Sequence, residues 1–179
     1  YICIQPGAAN GQDTPKTWNP LNFVQLCNEI RIRYPDLLVV LLGDKHDKTK
    51  IVDKCKWPTN AVDLAGRTTI EELVAILRES LCVVVHDSGL MHISNGIGLP
   101  IIALYGPTNY AATRPIGENA VVLFSKNEAS GIMYDSRMSE AKISKLYPNY
   151  VAMSGISVQD VLKTIISIIE NGSRINCVK

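Results

Sequence analysis

LCVVVHDSGLMHISNGIGLPIIALYGPT, residues 81–108, decides how this chain folds. Leu81–Val85 is apolar at every position, so it reads as a strand buried on both faces rather than one that alternates inside and out. HDSG breaks the run. Ser88–Ile97 then has helical spacing and ends at Gly98. Pro100–Tyr105 is a second continuous apolar strand, closed by the turn-forming pair Gly106-Pro107. A strand, a helix and a strand in so short a span predict a parallel pair joined by a right-handed crossover.

The same alternation extends in both directions. Ile2–Gln5 reads as a first strand. Asn19-Pro20 supplies an N-cap and a first-turn proline, and Phe23, Leu26, Cys27 and Ile30 follow at helical spacing. Leu37–Leu42 is a strand, 48–55 a short helix, and Ala61–Leu64 a short strand. Thr68 with Glu71 and Thr69 with Glu72 offer two overlapping capping boxes for a helix that runs to about Ser80. Ala120–Phe124 is a sixth strand. Segment 125–153 is polar and without a period, apart from a short helix near Ser139–Leu146. Ser157 caps a last helix, Val158–Glu170, which Gly172 ends. The expected fold is α/β, a Rossmann-like doubly wound parallel sheet of about six strands in a single domain.

Composition narrows the function. The chain has 179 residues, 46% hydrophobic and 20% charged, with a formal net charge of +1. That balance gives no electrostatic case for nucleic acid. No apolar run approaches the ~20 residues that cross a bilayer, and the first residues carry no signal-peptide pattern. The cysteines (Cys3, Cys27, Cys55, Cys82, Cys177) are odd in number and never spaced CxxC, which argues against a zinc site or a disulfide framework and for a reducing, cytoplasmic setting. YICIQPGA opens inside a strand, so the chain is expected to be a domain of a longer protein.

Ligands of open α/β sheets bind beyond the carboxyl ends of the strands, where four loops fall. PGAANGQDTPKTW (6–18) offers Gly7 and Gly11 for close approach, the Thr14 hydroxyl and the Lys16 cation, a set suited to phosphate but without the Walker spacing. GDKHD (43–47) places Asp44 and Asp47 where ribose hydroxyls are often held; a solvated turn is the alternative. In HDSGLMH (86–92), two histidines, an aspartate and a serine fall within seven residues. Ser88 lacks the GxSxG setting of a hydrolase nucleophile, and His86, Asp87 and His92 lack a further ligand for a metal. A helix start remains: Ser88 and Gly89 present backbone N–H groups at the positive end of the dipole, with Asp87 capping that end or reaching a ligand hydroxyl. His86 has no role here beyond ending a strand. YGPTNYAATRP (105–115) adds Thr108 and Arg114, or is simply a turn. No GxGxxG fingerprint follows a strand, which weakens a dinucleotide reading.

AGRTTIEELVAILRESLCVVVHDSGLMHISNGIGLPIIALYGPT, with DSGLMH and ALYGPT as its specific elements, resembles the C-terminal domain of glycosyltransferase family 9, the lipopolysaccharide heptosyltransferases. PGA followed by Lys16-x-Trp18 and the entry MSGISVQDVL (153–162) to the last helix are also similar. The likeness implies one half of a GT-B fold: residues 1–179 form the C-terminal domain that binds the nucleotide sugar, typically ADP-heptose. An N-terminal domain, absent from this chain, binds the glycolipid acceptor and carries the base. It implies that Lys16 contacts the diphosphate beside Thr14 and the amides of the Gly7 loop. It also implies that Asp87 holds sugar hydroxyls, that Ser88, Gly89 and Leu90 give N–H groups to the phosphates with His92 close by, that Thr68 lines the base pocket and that Asp47 binds ribose. The GDKHD loop leaves the ribose register open between Lys45 and Asp47, and segment 125–153 lacks the cysteines often found there in the family.

The resulting expectation is the donor half of an inverting, metal-independent glycosyltransferase without a cofactor. It would be cytoplasmic, at most peripheral at the inner face of the bacterial inner membrane, and inactive in transfer without its other half. An epimerase-like nucleotide-sugar enzyme and a non-catalytic nucleotide-binding domain are the alternatives.

Overall fold

Six short strands line up in parallel, in the order β3-β2-β1-β4-β5-β6. They are β1 (Ile2–Ile4), β2 (Val39–Leu41), β3 (Ala61–Asp63), β4 (Val83–His86), β5 (Ile101–Tyr105) and β6 (Ala120–Phe124). The computed structural model describes residues 1–8, 15–135, 138–148 and 150–172. The strand order is the doubly wound arrangement expected from the sequence. It turns around at the pair β1 and β4, where successive crossovers leave toward opposite faces.

The apolar strands fill both layers, as continuous hydrophobic runs require. Ile2, Ile4, Val39, Leu41, Val84, Ile102 and Leu104 pack on one face with α1 (Pro20–Arg33) and α8 (Val158–Asn171). Cys3, Val40, Val83, Val85, Ile101, Ala103 and Tyr105 pack on the other with α3 (Ile70–Arg78) and α4 (Gly89–Gly96). Each fully buried side chain such as Ile4 stabilises the fold by about 1.5–3 kcal/mol relative to exposure. Cys3 and Cys82 neighbour each other across β1 and β4 but belong to opposite layers, and burial raises both thiols, to about 11 and about 12. They act as small hydrophobes.

Helix starts follow the caps, with two adjustments. The segment after β2 becomes helical at α2 (Lys45–Lys50), earlier than spacing predicted, followed by a 3-10 turn at Val52–Lys54. Asp44 causes the shift: its carboxylate accepts the amides of His46 and Asp47, both at 2.8 Å. Of the two candidate boxes before α3, Thr69 with Glu72 forms, at 3.2 and 2.8 Å.

The aperiodic segment is held by specific polar contacts instead of by an amphipathic face. It contains α6 (Ile132–Asp135), the expected α7 (Glu140–Leu146) capped by Ser139, and a 3-10 turn at Val151–Met153. It follows α5 (Tyr110–Thr113) and β6. Asn127 Nδ2 donates to the Val151 carbonyl at 2.8 Å, and the amides of Gly131 and Met133 reach the carbonyls of Gly106 and Pro107. A Cβ at Gly106 would stand 2.7 Å from the Ala152 carbonyl oxygen, so only glycine admits this close return of the chain. Among the described residues, no helix is long and apolar enough to cross a membrane.

Candidate functional site

A cavity of about 310 Å³ opens at the carboxyl ends of β1, β2 and β4, a size suited to a small ligand. Gln5 and Ala8 enter it from the end of β1, and Gly43, Asp44 and Asp47 from the end of β2. Thr68, Thr69, Ile70 and Leu73 come from the start of α3, and Ser88, Gly89 and Leu90 from the end of β4. Short strands that stop in register on one edge create this convergence, since every exit loop must leave on the same side.

Ser88, Gly89 and Leu90 bring the start of α4 to the cavity. Ser88 is the N-cap residue, in extended conformation, yet its side chain caps no amide of its own helix. Its hydroxyl donates instead to Gln5 Oε1 at 2.7 Å. The sequence reading offered Asp87 as a cap; Ser88 holds that position, and Asp87 stands half-buried just before it. The amides of the first turn, Gly89 to Met91, therefore have no acceptor among the described residues. Asn19, Thr69 and Ser157, by contrast, each accept an amide of the helix they start. An uncapped first turn facing a cavity is suited to an anion.

Asp47 lines the cavity but is 3% exposed. Its carboxylate accepts from the Asp44 amide and from Gln5 Nε2, both at 3.4 Å. Burial raises its pKa above the ordinary value, the Asp44 carboxylate adds to this, and the Gln5 hydrogen bond opposes it. A Cβ on Gly7 would overlap the Asp47 carboxylate. Gly7 is thus required by packing against Asp47.

His86 is the residue the sequence left without a role, and its position in the fold corrects that reading. The ring is fully buried. Nε2 accepts the Trp18 amide at 2.9 Å, so Nδ1 carries the proton and donates to the Gly7 carbonyl at 2.8 Å. One imidazole closes both ends of the loop that bears Lys16. Burial pushes its pKa down to about 4, so it is neutral at pH 7.

The predicted site residues divide accordingly. Asp47, Thr68, Ser88, Gly89 and Leu90 meet in the cavity, while Gly7, Lys16, Asp87 and His92 stand outside its lining. Lys16 is half-buried in the turn before Trp18, and His92 is exposed on α4. Gly11 and Thr14 lie outside the described residues. Arg114 is exposed on the loop after β5 and does not line the cavity. Gln5, Ile70 and Leu73 also line the cavity without an expected site role, as does Thr69, expected only as a helix cap. Gln5 carried a readable signal, a polar residue directly after a buried strand at the turnaround of the sheet. Among the described residues, no three His, Cys, Asp or Glu side chains gather closely enough to hold a metal ion.

A family profile described as "Glycosyltransferase family 9 (heptosyltransferase)" matches residues 1–142. Lipopolysaccharide heptosyltransferase 2 of Escherichia coli (strain K12) is 36% identical over 126 residues, which cover 66% of this chain and 34% of that protein. A glycosyltransferase family 9 structure from Veillonella parvula superposes with a TM-score of 0.74 at 24% identity, covering 96% of this chain and 46% of the other. The E. coli heptosyltransferase WaaC with ADP superposes with a TM-score of 0.68 at 17% identity, covering 93% and 44%. The chain thus spans less than half the length of each of these relatives. With the profile matched over most of its residues, the chain belongs to glycosyltransferase family 9, the heptosyltransferase family.

Proposed function

We propose that this chain is the donor-binding half of a GT-B glycosyltransferase that transfers heptose from ADP-heptose to a lipopolysaccharide core or related cell-surface glycan. The observation that carries the reading is the open first turn of α4, whose N-cap hydroxyl is turned away to Gln5 beside the cavity. Two structures of one heptosyltransferase of similar fold support the choice of ligand: E. coli WaaC with ADP and with ADP-2-deoxy-2-fluoro heptose.

The chemistry follows from charge. As the bond between the sugar and the diphosphate breaks, negative charge grows on the departing ADP. The amides of Ser88, Gly89 and Leu90 and the Lys16 ammonium neutralise it in place, a preorganised electrostatic contribution. Ile70 and Leu73, from the start of α3, give the nucleobase an apolar wall beside Thr68. Asp87 accepts hydroxyls of the sugar. In this reading the transfer is inverting and needs no metal, the base that activates the acceptor hydroxyl comes from an acceptor-binding half, and the enzyme works at the cytoplasmic face of the inner membrane.

Calorimetric titration with ADP and ADP-heptose tests the assignment. Lys16→Ala should weaken both ligands by about tenfold or more, in keeping with ~1.5–3 kcal/mol for a hydrogen bond to a charged group. Asp87→Asn should weaken ADP-heptose and spare ADP. If ADP does not bind the unmodified chain, the reading is wrong.

A further inference from the structure

We propose that Gln5 is a positioning residue for the donor's phosphates: it draws the Ser88 hydroxyl off the start of α4 and so keeps the first-turn amides open. The inference rests on the donor-site reading above and adds a device within it.

Gln5 and Ser88 are each 8% exposed and stand 83 residues apart in sequence, on the ends of the adjacent strands β1 and β4. Serine in an N-cap position ordinarily turns its oxygen onto the second or third amide of the helix. Here the backbone has the N-cap conformation, at φ −148° and ψ 168°, but the side chain makes no such bond. The rotamer that reaches Gln5 Oε1 at 2.7 Å holds Oγ away from the Leu90 and Met91 amides.

The far end of Gln5 sets its orientation. Asp47 presents a carboxylate, which accepts only, so the Gln5 NH₂ group must face it, and it does so at 3.4 Å. Oε1 is then left for Ser88, whose hydroxyl must donate. Asp47 itself is fixed by the Asp44 amide in the first turn of α2. A polar chain from Asp47 through Gln5 to Ser88 thus runs under the crevice and links the starts of α2 and α4. Without Gln5, Ser88 can rotate to the ordinary capping position and compete with a phosphate for the same amides.

A double-mutant cycle separates this from a merely structural role. ADP affinity is measured by calorimetry for the 179-residue chain, for Gln5→Met, for Ser88→Ala and for the double variant, with thermal melts confirming that each is folded. Methionine keeps the volume of Gln5 and removes the strong acceptor. We expect Gln5→Met to weaken ADP about fivefold to tenfold when Ser88 is present and less than twofold when position 88 is already alanine. Equal losses in both backgrounds would overturn the inference, because Gln5 would then act without the Ser88 hydroxyl. So would an unchanged affinity for Gln5→Met with Ser88 present. If Gln5→Met unfolds, Gln5→Leu takes its place in the same cycle. Failure of the unmodified chain to bind ADP would reject the donor-site reading and this inference with it, whereas normal ADP binding without coupling rejects the inference alone.

Discussion

The Trp18 amide donates to Nε2 of His86 at 2.9 Å, across 68 residues of sequence. The bond fixes the imidazole tautomer, because a backbone N–H can only donate. Nδ1 must then hold the proton that it gives to the Gly7 carbonyl. The loop between Gly7 and Trp18 is therefore closed at its base by a side chain from β4, the strand that leads into the open helix start. Phe23 meets the same ring edge-on at 5.6 Å, and Trp18 meets Phe23 at 4.9 Å. Lys16 lies two residues before Trp18, whose backbone this buried cluster holds.

The clasp should make stability depend on pH. His86 has a folded-state pKa of about 4, below its ordinary value of 6.5. A depressed pKa means that the unfolded chain binds the proton more readily, so stability is fully present above pH 6.5 and is lost as pH falls toward 4. Each unit in that window costs up to about 1.4 kcal/mol. A protonated ring also offers the Trp18 amide a second donor where it needs an acceptor. Melting the chain between pH 7 and pH 4.5 should show a steeper loss than for His86→Gln, which has no titrating ring. Parallel profiles would show that the buried imidazole does not control the loss.

Gly89 distinguishes a ligand-binding helix start from a plain one. A Cβ there would meet nothing within 4 Å in the protein, and its φ is not in the left-handed range. Gly89→Ala should therefore fold normally, with a melting temperature equal to or above that of the parent, since alanine favours a helix by ~1 kcal/mol over glycine within its interior. Under the proposed donor-site reading, the added methyl would narrow the approach of phosphate oxygens to the amides. We expect ADP affinity to fall at least fivefold with no loss of stability. Undiminished affinity would place the phosphates elsewhere.

Much of this fold was legible because its signals are local. Leu81–Val85 and Ile101–Tyr105 have no polar face, so a sheet covered on both sides was the only consistent reading, and Asn19, Ser139 and Ser157 marked helix starts that formed as expected. The candidate site was legible where the chain itself turns, at Ser88, Gly89 and Leu90. It was hidden wherever a residue works through a distant partner. Nothing near His86 in sequence names Gly7 or Trp18, and nothing near Gln5 names Ser88. Asp47 shows a related difficulty. Its place in the loop after β2 was evident, but only the fold shows that Gly7 and Gln5 close over it and leave it 3% exposed. Segment 125–153 was obscure for the same reason, because Asn127 and Gly106 hold it by contacts to single backbone groups.

Trp18 should contribute stability through its polar atom as well as its area. Nε1 donates to the Ile156 carbonyl at 3.0 Å, with both groups buried. This bond ties the end of the first loop to the segment that leads into α8. Trp18→Phe removes the donor, leaves that carbonyl unsatisfied and opens space beside Phe23. A cost of about 2–4 kcal/mol follows from an unsatisfied buried acceptor together with lost packing. Chemical denaturation of the two chains measures it. A cost under about 0.5 kcal/mol would mean that the carbonyl finds water or another donor.

Gly7 and Asp47 should be coupled through steric fit. The Gly7 backbone can accept alanine, because its φ is not positive, but the new Cβ would overlap the Asp47 carboxylate. Asp47 has little freedom to retreat, held as it is by the Asp44 amide and Gln5. Gly7→Ala in the natural background should cost about 1–3 kcal/mol, the range for overpacking in a filled interior. With Asp47→Ala already present, the same change should cost under about 0.5 kcal/mol, so the two substitutions should fail to add. Denaturant midpoints of the four chains give the coupling directly. Additive costs would mean that the Gly7 penalty comes from elsewhere in the loop, such as the carbonyl held by His86, and not from the carboxylate beneath it.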